Sequence, residues 1–123
     1  MSNIQRYATP LPMPFSKAVR AGGFVFLSGV LPMNSQGQLL GGGIVQQARA
    51  VIDRIAATLG EAGATLGDVV RVNVWLSNWD DFAAFNEEYR RHFDAALPAR
   101  STVQAVLYGG AGVEIEVQAW VGE

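Results

Sequence analysis

The carboxy-terminal stretch of the chain constrains its fold most. Val113, Ile115, Val117, Ala119 and Val121 alternate without a break with Glu114, Glu116, Gln118 and Trp120. A period of two puts successive side chains on opposite faces of a strand, so this segment has one apolar face and one largely polar face. A second segment has a different period. Ile44, Ala48, Val51, Ile52, Ile55 and Leu59 recur at helical spacing, and Gly63 follows where a left-handed stop is expected. The spacing predicts an amphipathic helix over 44–62. A one-sided helix and a one-sided strand bury their apolar faces against each other, which makes two packed layers the natural architecture.

The remaining elements fit around this pair. Phe15 to Arg20 and Phe24 to Ser28, joined through Gly22 and Gly23, read as a hairpin. Before them, Thr9 to Pro14 has proline at every second position, which predicts an extended arm. Val70, Val72, Val74 and Leu76 alternate with Val69, Arg71, Asn73 and Trp75, a strand pattern. Asn78 and Asp80 offer caps for a second helix running to Phe93, with Phe82, Phe85, Tyr89 and Phe93 as its stripe. Ser101 to Leu107 completes the strands. The predicted order is β-β-α-β-α-β-β in a single α+β domain over 1–123, a two-layer arrangement with both helices on one sheet face. The other face carries Trp75 and Trp120 with no third layer to cover it, so the chain is expected to associate with copies of itself.

Composition narrows the chemistry. The chain has no cysteine, which excludes disulfides, thiolate nucleophiles, zinc ribbons and iron–sulfur clusters. It has one histidine, His92, beside Arg90 and Arg91 near the end of the second helix, where cations suit the helix dipole; His92 is read as structural. No metal site and no cofactor site is expected. Charged residues make up 16% of the chain, against about 25% in an average soluble domain. Net charge is −2, the wrong sign for a generic nucleic-acid binder. No apolar run reaches the length of a membrane span or a signal peptide, so a cytoplasmic protein with no membrane partner is expected.

Three positions could carry chemistry. Arg100, in Pro98-Ala99-Arg100-Ser101, stands at the start of a predicted strand; it reads either as a solvated arginine or as a guanidinium fork for a small carboxylate. Glu114, with Glu116 two residues on, lies on the face turned away from the helices. It reads either as a solvated strand residue or as a carboxylate that, if partly buried, positions or deprotonates a water. Asn86 borders the aromatic stripe of the second helix, where an amide needs hydrogen-bond partners. Arg49 and Arg54 read as a solvated helix face. The runs Gly41-Gly42-Gly43 and Gly109-Gly110-Ala111-Gly112 lack the spacing of a phosphate loop and read as turns.

Taken in order, Pro14-Phe15-Ser16-Lys17-Ala18-Val19, Phe26-Leu27-Ser28-Gly29-Val30-Leu31-Pro32, Asp81-Phe82-Ala83-Ala84-Phe85-Asn86, Pro98-Ala99-Arg100-Ser101-Thr102-Val103 and Val113-Glu114-Ile115-Glu116 resemble the RidA/YjgF family of reactive-intermediate deaminases. The resemblance implies a chorismate mutase-like fold, a homotrimer with clefts between subunits, and cofactor-free hydrolysis of enamines and imines such as 2-aminoacrylate to a 2-oxo acid and ammonia. It also implies roles. Arg100 would clamp the substrate carboxylate and Glu114 would orient the attacking water. Ser28, Gly29 and Asn86 would line the cleft, and backbone groups of Thr102 would stand where the family often has cysteine. The chain departs at Phe15, where many family members have tyrosine. Losing that hydroxyl makes the pocket mouth more apolar and admits a bulkier imino acid.

Such a reaction suits so sparse an inventory, because an iminium carbon adds water readily and needs little beyond orientation and one proton shuttle. Two other readings stand beside it. One is a non-catalytic trimer that binds a small carboxylate metabolite through Arg100. The other is nucleic-acid cleavage, against which the acidic balance counts.

Overall fold

A computed structural model of the chain describes residues 3–122, and among them eight principal elements alternate as β-β-β-α-β-α-β-β. They are β1 (Ile4–Ala8), β2 (Ser16–Ala21), β3 (Phe24–Leu27), α1 (Ile44–Glu61), β4 (Val69–Leu76), α2 (Phe82–Phe93), β5 (Ala99–Gln104) and β6 (Val113–Trp120). All the strands join one six-stranded sheet in the order β1-β2-β3-β6-β4-β5. The α+β class with two helices is as expected. The strand count is one higher than the sequence pattern implied, because β1 pairs antiparallel with β2. Ile4–Ala8 shows no alternation of burial, being exposed along most of its length, so hydropathy carried no signal for it.

Local chemistry explains each element. β2 and β3 form the anticipated hairpin, turning at Gly22 with φ of 59°. α1 buries Ala48, Val51, Ile52, Ile55 and Leu59, the stripe that its spacing predicts. α2 begins later than Asn78. That residue's side chain accepts a hydrogen bond from the Asp80 amide and caps a short 3₁₀ turn, Trp79–Asp81, which leads into the helix. The arm from Thr9 to Pro14 is not extended. The amides of Met13 and Phe15 donate to the carbonyls of Leu11 and Met13, so the chain folds back in successive three-residue turns.

The core lies between the helices and one face of the sheet. Val113, Ile115, Val117 and Ala119 of β6 are buried there beside Val72, Val74 and Leu76 of β4 and Ala18, Val25 and Leu27 of the hairpin. β4 departs from simple alternation at its start. A register shift between Val69 and Arg71 turns Val69 inward and leaves Val70 exposed, whereas strict period-two counting would bury Val70. β4 and β5 are parallel, which requires a crossover, and α2 supplies it.

The two helices are tied by an ion cluster that no local pattern along the chain signals. Glu88 of α2 is only 2% exposed. Arg49 of α1 grips it from two sides, Nε to Oε2 at 3.1 Å and Nη2 to Oε1 at 3.1 Å. His92 Nε2 lies 2.8 Å from Oε2, and Arg91 approaches Oε1 at 3.5 Å. Arg49 does stand on an exposed face, with its side chain 53% exposed, and from there it also acts as a structural clamp. Its hydrogen bonds hold the Glu88 carboxyl down to about 2, against the opposing effect of burial. Arg54 is likewise engaged, donating from Nη1 to the Leu31 carbonyl at 3.0 Å.

The face away from the helices has no covering layer in this chain. Phe24, Phe26 and Trp120 stand on it at 42%, 38% and 41% exposure, with the Phe24 and Trp120 ring centres 4.9 Å apart.

Because the folded-state value of Glu88 lies below the ordinary 4.5 of a glutamate, its stabilising effect is complete above pH 4.5 and is lost as pH falls towards 2. Glu88→Gln should lower unfolding stability at pH 7 by about 1–3 kcal/mol. In chemical denaturation as a function of pH, the gap between wild type and variant should close on the acid side. A gap independent of pH would assign the effect to packing.

Candidate functional site

The residues expected to carry chemistry separate into two groups, and strand register decides which belongs where. Arg100 pairs with Val72, and Val72 pairs with Val117, so Arg100 belongs to the row that faces the helices. Thr102 occupies the next such row, beside Val74 and Ile115. Glu114 pairs with Trp75 and stands three residues from Val117 on the same strand, which places it on the opposite face. Within one chain, Arg100 and Glu114 do not meet.

The first group gathers at α2. Asn86 Oδ1 accepts a hydrogen bond from Arg100 Nη2 at 2.7 Å. The guanidinium carbon lies 4.8 Å from the Tyr89 ring centre, 5.6 Å from Phe85 and 5.9 Å from Phe82. Amide and rings together fix the plane of the fork through hydrogen-bonding and cation–π contacts. Among the described residues no carboxylate pairs with Arg100, so most of its five donors stay available. Burial pushes the Tyr89 phenol up, and the neighbouring Arg100 charge opposes that shift. Thr102 Oγ1 is buried and finds no hydrogen-bond partner among the described residues. The aromatic seat was visible in the sequence only as a core stripe. Positions 82, 85, 86 and 89 share one helix face, but their contact with Arg100 depends on the β4–α2–β5 crossover.

The second group lines a cavity of about 450 Å³ that includes Phe15, Ser28, Gly29 and Glu114. The Thr9–Pro14 arm and Arg54 form part of its wall, as does Tyr108, and composition did not single these out for that role. Glu114 is half-buried. Desolvation first, and the nearby Glu116 second, raise its carboxyl above the usual range. Gly29 lies directly against it, and a Cβ at position 29 would fall on Glu114 Oε2. The Ser28 hydroxyl donates to the Ser16 carbonyl at 2.7 Å, which leaves its oxygen able to accept. Among the described residues no group of three or more His, Cys, Asp or Glu side chains could hold a metal, and no helix is long and apolar enough to cross a membrane.

One half thus offers an oriented cation able to bind a small carboxylate. The other offers a carboxyl of raised pKa beside an apolar chamber. A site containing both needs a second copy of the chain.

Known proteins share this framework. A RutC family protein of Pyrococcus abyssi is 42% identical over 97 residues, spanning 77% of this chain and 76% of its own. A 2-iminobutanoate/2-iminopropanoate deaminase of Mus musculus is 37% identical over 111 residues, spanning 89% of this chain and 82% of its own. The crystal structure of E. coli TdcF with bound serine superposes with a TM-score of 0.84 at 32% identity, covering 89% of this chain and 90% of that one. The family model described as Endoribonuclease L-PSP matches residues 8–121, from the end of β1 to just past β6. On that match and these relatives, the chain belongs to the RidA/YjgF family.

Proposed function

We propose that this protein hydrolyses reactive enamines and imines of 2-amino acids to the 2-oxo acid and ammonia, at clefts that two copies of the chain build together in a homotrimer. The observation that carries the reading is Arg100. It is a cation gripped by Asn86 and three rings, and it has no carboxylate partner among the described residues. A cation held this way is suited to an anion from outside the chain. The relatives named as iminoacid deaminases support the reaction class, and a TdcF structure with bound serine supports a small amino-acid-like ligand. The exposed Phe24, Phe26 and Trp120 support self-association across the open face.

In this reading, Arg100 of one copy holds the substrate carboxylate bidentately. Glu114 of a neighbour faces the iminium carbon from the cavity that Ser28 and Gly29 line. Thr102 borders the carboxylate end and Phe15 the cavity end. Glu114, ionised, takes a proton from water as the water oxygen bonds to the iminium carbon, giving a carbinolamine. The same carboxyl then returns that proton to the nitrogen. The C–N bond breaks with its electron pair leaving on ammonia, the hydroxyl proton passes through the Glu114 carboxylate to that ammonia as the carbonyl forms, and the products are 2-oxo acid and ammonium. The raised carboxyl of Glu114 suits both roles, because a base that must also act as an acid works best near the working pH. An enamine enters the sequence after protonation at carbon to the imine. The chain needs no cofactor in this scheme.

Imines generated in situ by an amino-acid oxidase or a dehydratase test it directly. The wild type should speed their decay over buffer, and Arg100→Ala should lower kcat/KM by about 10²-fold or more with the oligomer intact. Tight binding of 2-oxo acids without any imine turnover would instead make the protein a carboxylate binder. Co-expressing Arg100→Ala with Glu114→Gln tests the shared cleft. Neither variant alone should be active, but random mixing should restore about a quarter of the clefts in a closed ring. No recovery would show that the two residues do not act together in a cleft shared between copies.

The pH profile follows from Glu114. Its base form is needed and its pKa is raised, so kcat/KM should fall as pH drops, with a midpoint above 4.5. Glu114→Gln should remove that limb along with most of the activity. Gly29→Ala should displace the Glu114 carboxylate and lower kcat/KM by about 10²-fold, with circular dichroism and oligomeric state unchanged. Full activity in that variant would separate the Gly29 contact from catalysis.

A further inference from the structure

The cavity that contains Glu114 is much larger than a three-carbon substrate requires. It measures about 450 Å³, within the range of pockets that enclose whole drug-sized ligands. Its walls away from Glu114 are mostly apolar, supplied by Leu11, Met13, Phe15, Val30, Leu31 and Met33, with Thr9, Gln36 and Thr58 among them. The cations on its wall are already engaged, Lys17 with both oxygens of Glu61 at 2.8 Å and Arg54 with the Leu31 carbonyl.

We infer that this chamber receives the substrate's side chain, so that the protein's preferred substrates are 2-imino acids with large apolar side chains, branched aliphatic or aromatic, rather than the three-carbon imine. The inference rests on the deaminase reading and adds to it the direction in which the substrate lies. With the carboxylate on Arg100 and the reacting carbon at Glu114, the third substituent of that carbon points along the cavity, between the folded-back Thr9–Pro14 arm and the segment around Met33. The arm's own turns brace this wall, through Met13 N to the Leu11 carbonyl at 2.8 Å and Phe15 N to the Met13 carbonyl at 2.9 Å. Phe15 extends the apolar lining where a tyrosine would place a hydroxyl that needs a partner. A side chain that fills such a space gains from each methylene it buries, and that gain separates substrates by size.

The test is a panel of imines released by an amino-acid oxidase from alanine, leucine, phenylalanine and glutamate, with the decay of each measured against enzyme concentration. The leucine- and phenylalanine-derived imines should exceed the alanine-derived one in kcat/KM by at least about tenfold. Met13→Trp and Leu11→Trp, made separately, should each abolish that preference by occupying the chamber. Equal rates across alanine, leucine and phenylalanine would overturn the inference and leave the deaminase reading intact. Preference for the glutamate-derived imine would overturn it too, by showing that Arg54 reads an acidic side chain. Rates equal to buffer for every imine would instead remove the deaminase reading itself.

Discussion

Two helices can cover one side of a six-stranded sheet and no more, and the rest of the molecule follows from that limit. α1 and α2 lie on the face formed by Val113, Ile115, Val117 and Ala119 with their neighbours in β4 and the hairpin, and they bury it. The other face keeps Phe24, Phe26, Trp75 and Trp120 beside carboxylates and amides. Strand alternation then assigns every candidate side chain on the sheet to one side or the other with no intermediate choice. Arg100 falls on the helix side and finds an aromatic seat. Glu114 falls on the other and finds a cavity. The separation of the two groups by the thickness of the sheet is what makes a shared site between copies the natural proposal.

The two halves achieve orientation by different physical means. Arg100 is held by one short hydrogen bond and three aromatic faces, which fix its plane without neutralising its charge. An acidic partner would fix it equally well but would occupy the donors that an incoming carboxylate needs. Glu114 is placed by the absence of a side chain, since Gly29 lets the backbone come against the carboxylate. Partial burial does the rest by raising its pKa. Glu88 shows the contrasting case. It is a more deeply buried carboxylate, yet Arg49 lowers its pKa, so it stays ionised and serves to hold the helices together.

Much of this was legible in the residues. The β6 alternation, the α1 stripe, the hairpin turn at Gly22 and the stop at Gly63 are local signals, and each element appears within a few residues of its expected bounds. Other features were hidden for identifiable reasons. β1 is an edge strand with little burial, so it has no hydropathic pattern. Val69 replaces Val70 in the core because of a bulge, which period-two counting cannot detect. Arg49 and Glu88 are 39 residues apart in sequence and meet only because α1 and α2 pack side by side.

The amino-acid sequence by itself determined the two-layer architecture, the surplus apolar face and the poverty of catalytic groups, because periodicity and composition are local properties. It also singled out Arg100, Glu114 and Asn86 as residues with two readings apiece. Only the tertiary structure gave those residues their surroundings, since burial, hydrogen-bond partners and facing depend on which strands lie side by side. It seated Arg100 among rings that looked like ordinary core, pressed Glu114 against Gly29, and folded a proline-rich arm into the wall of a chamber. Non-local packing sets these relations, and no count along the chain contains them.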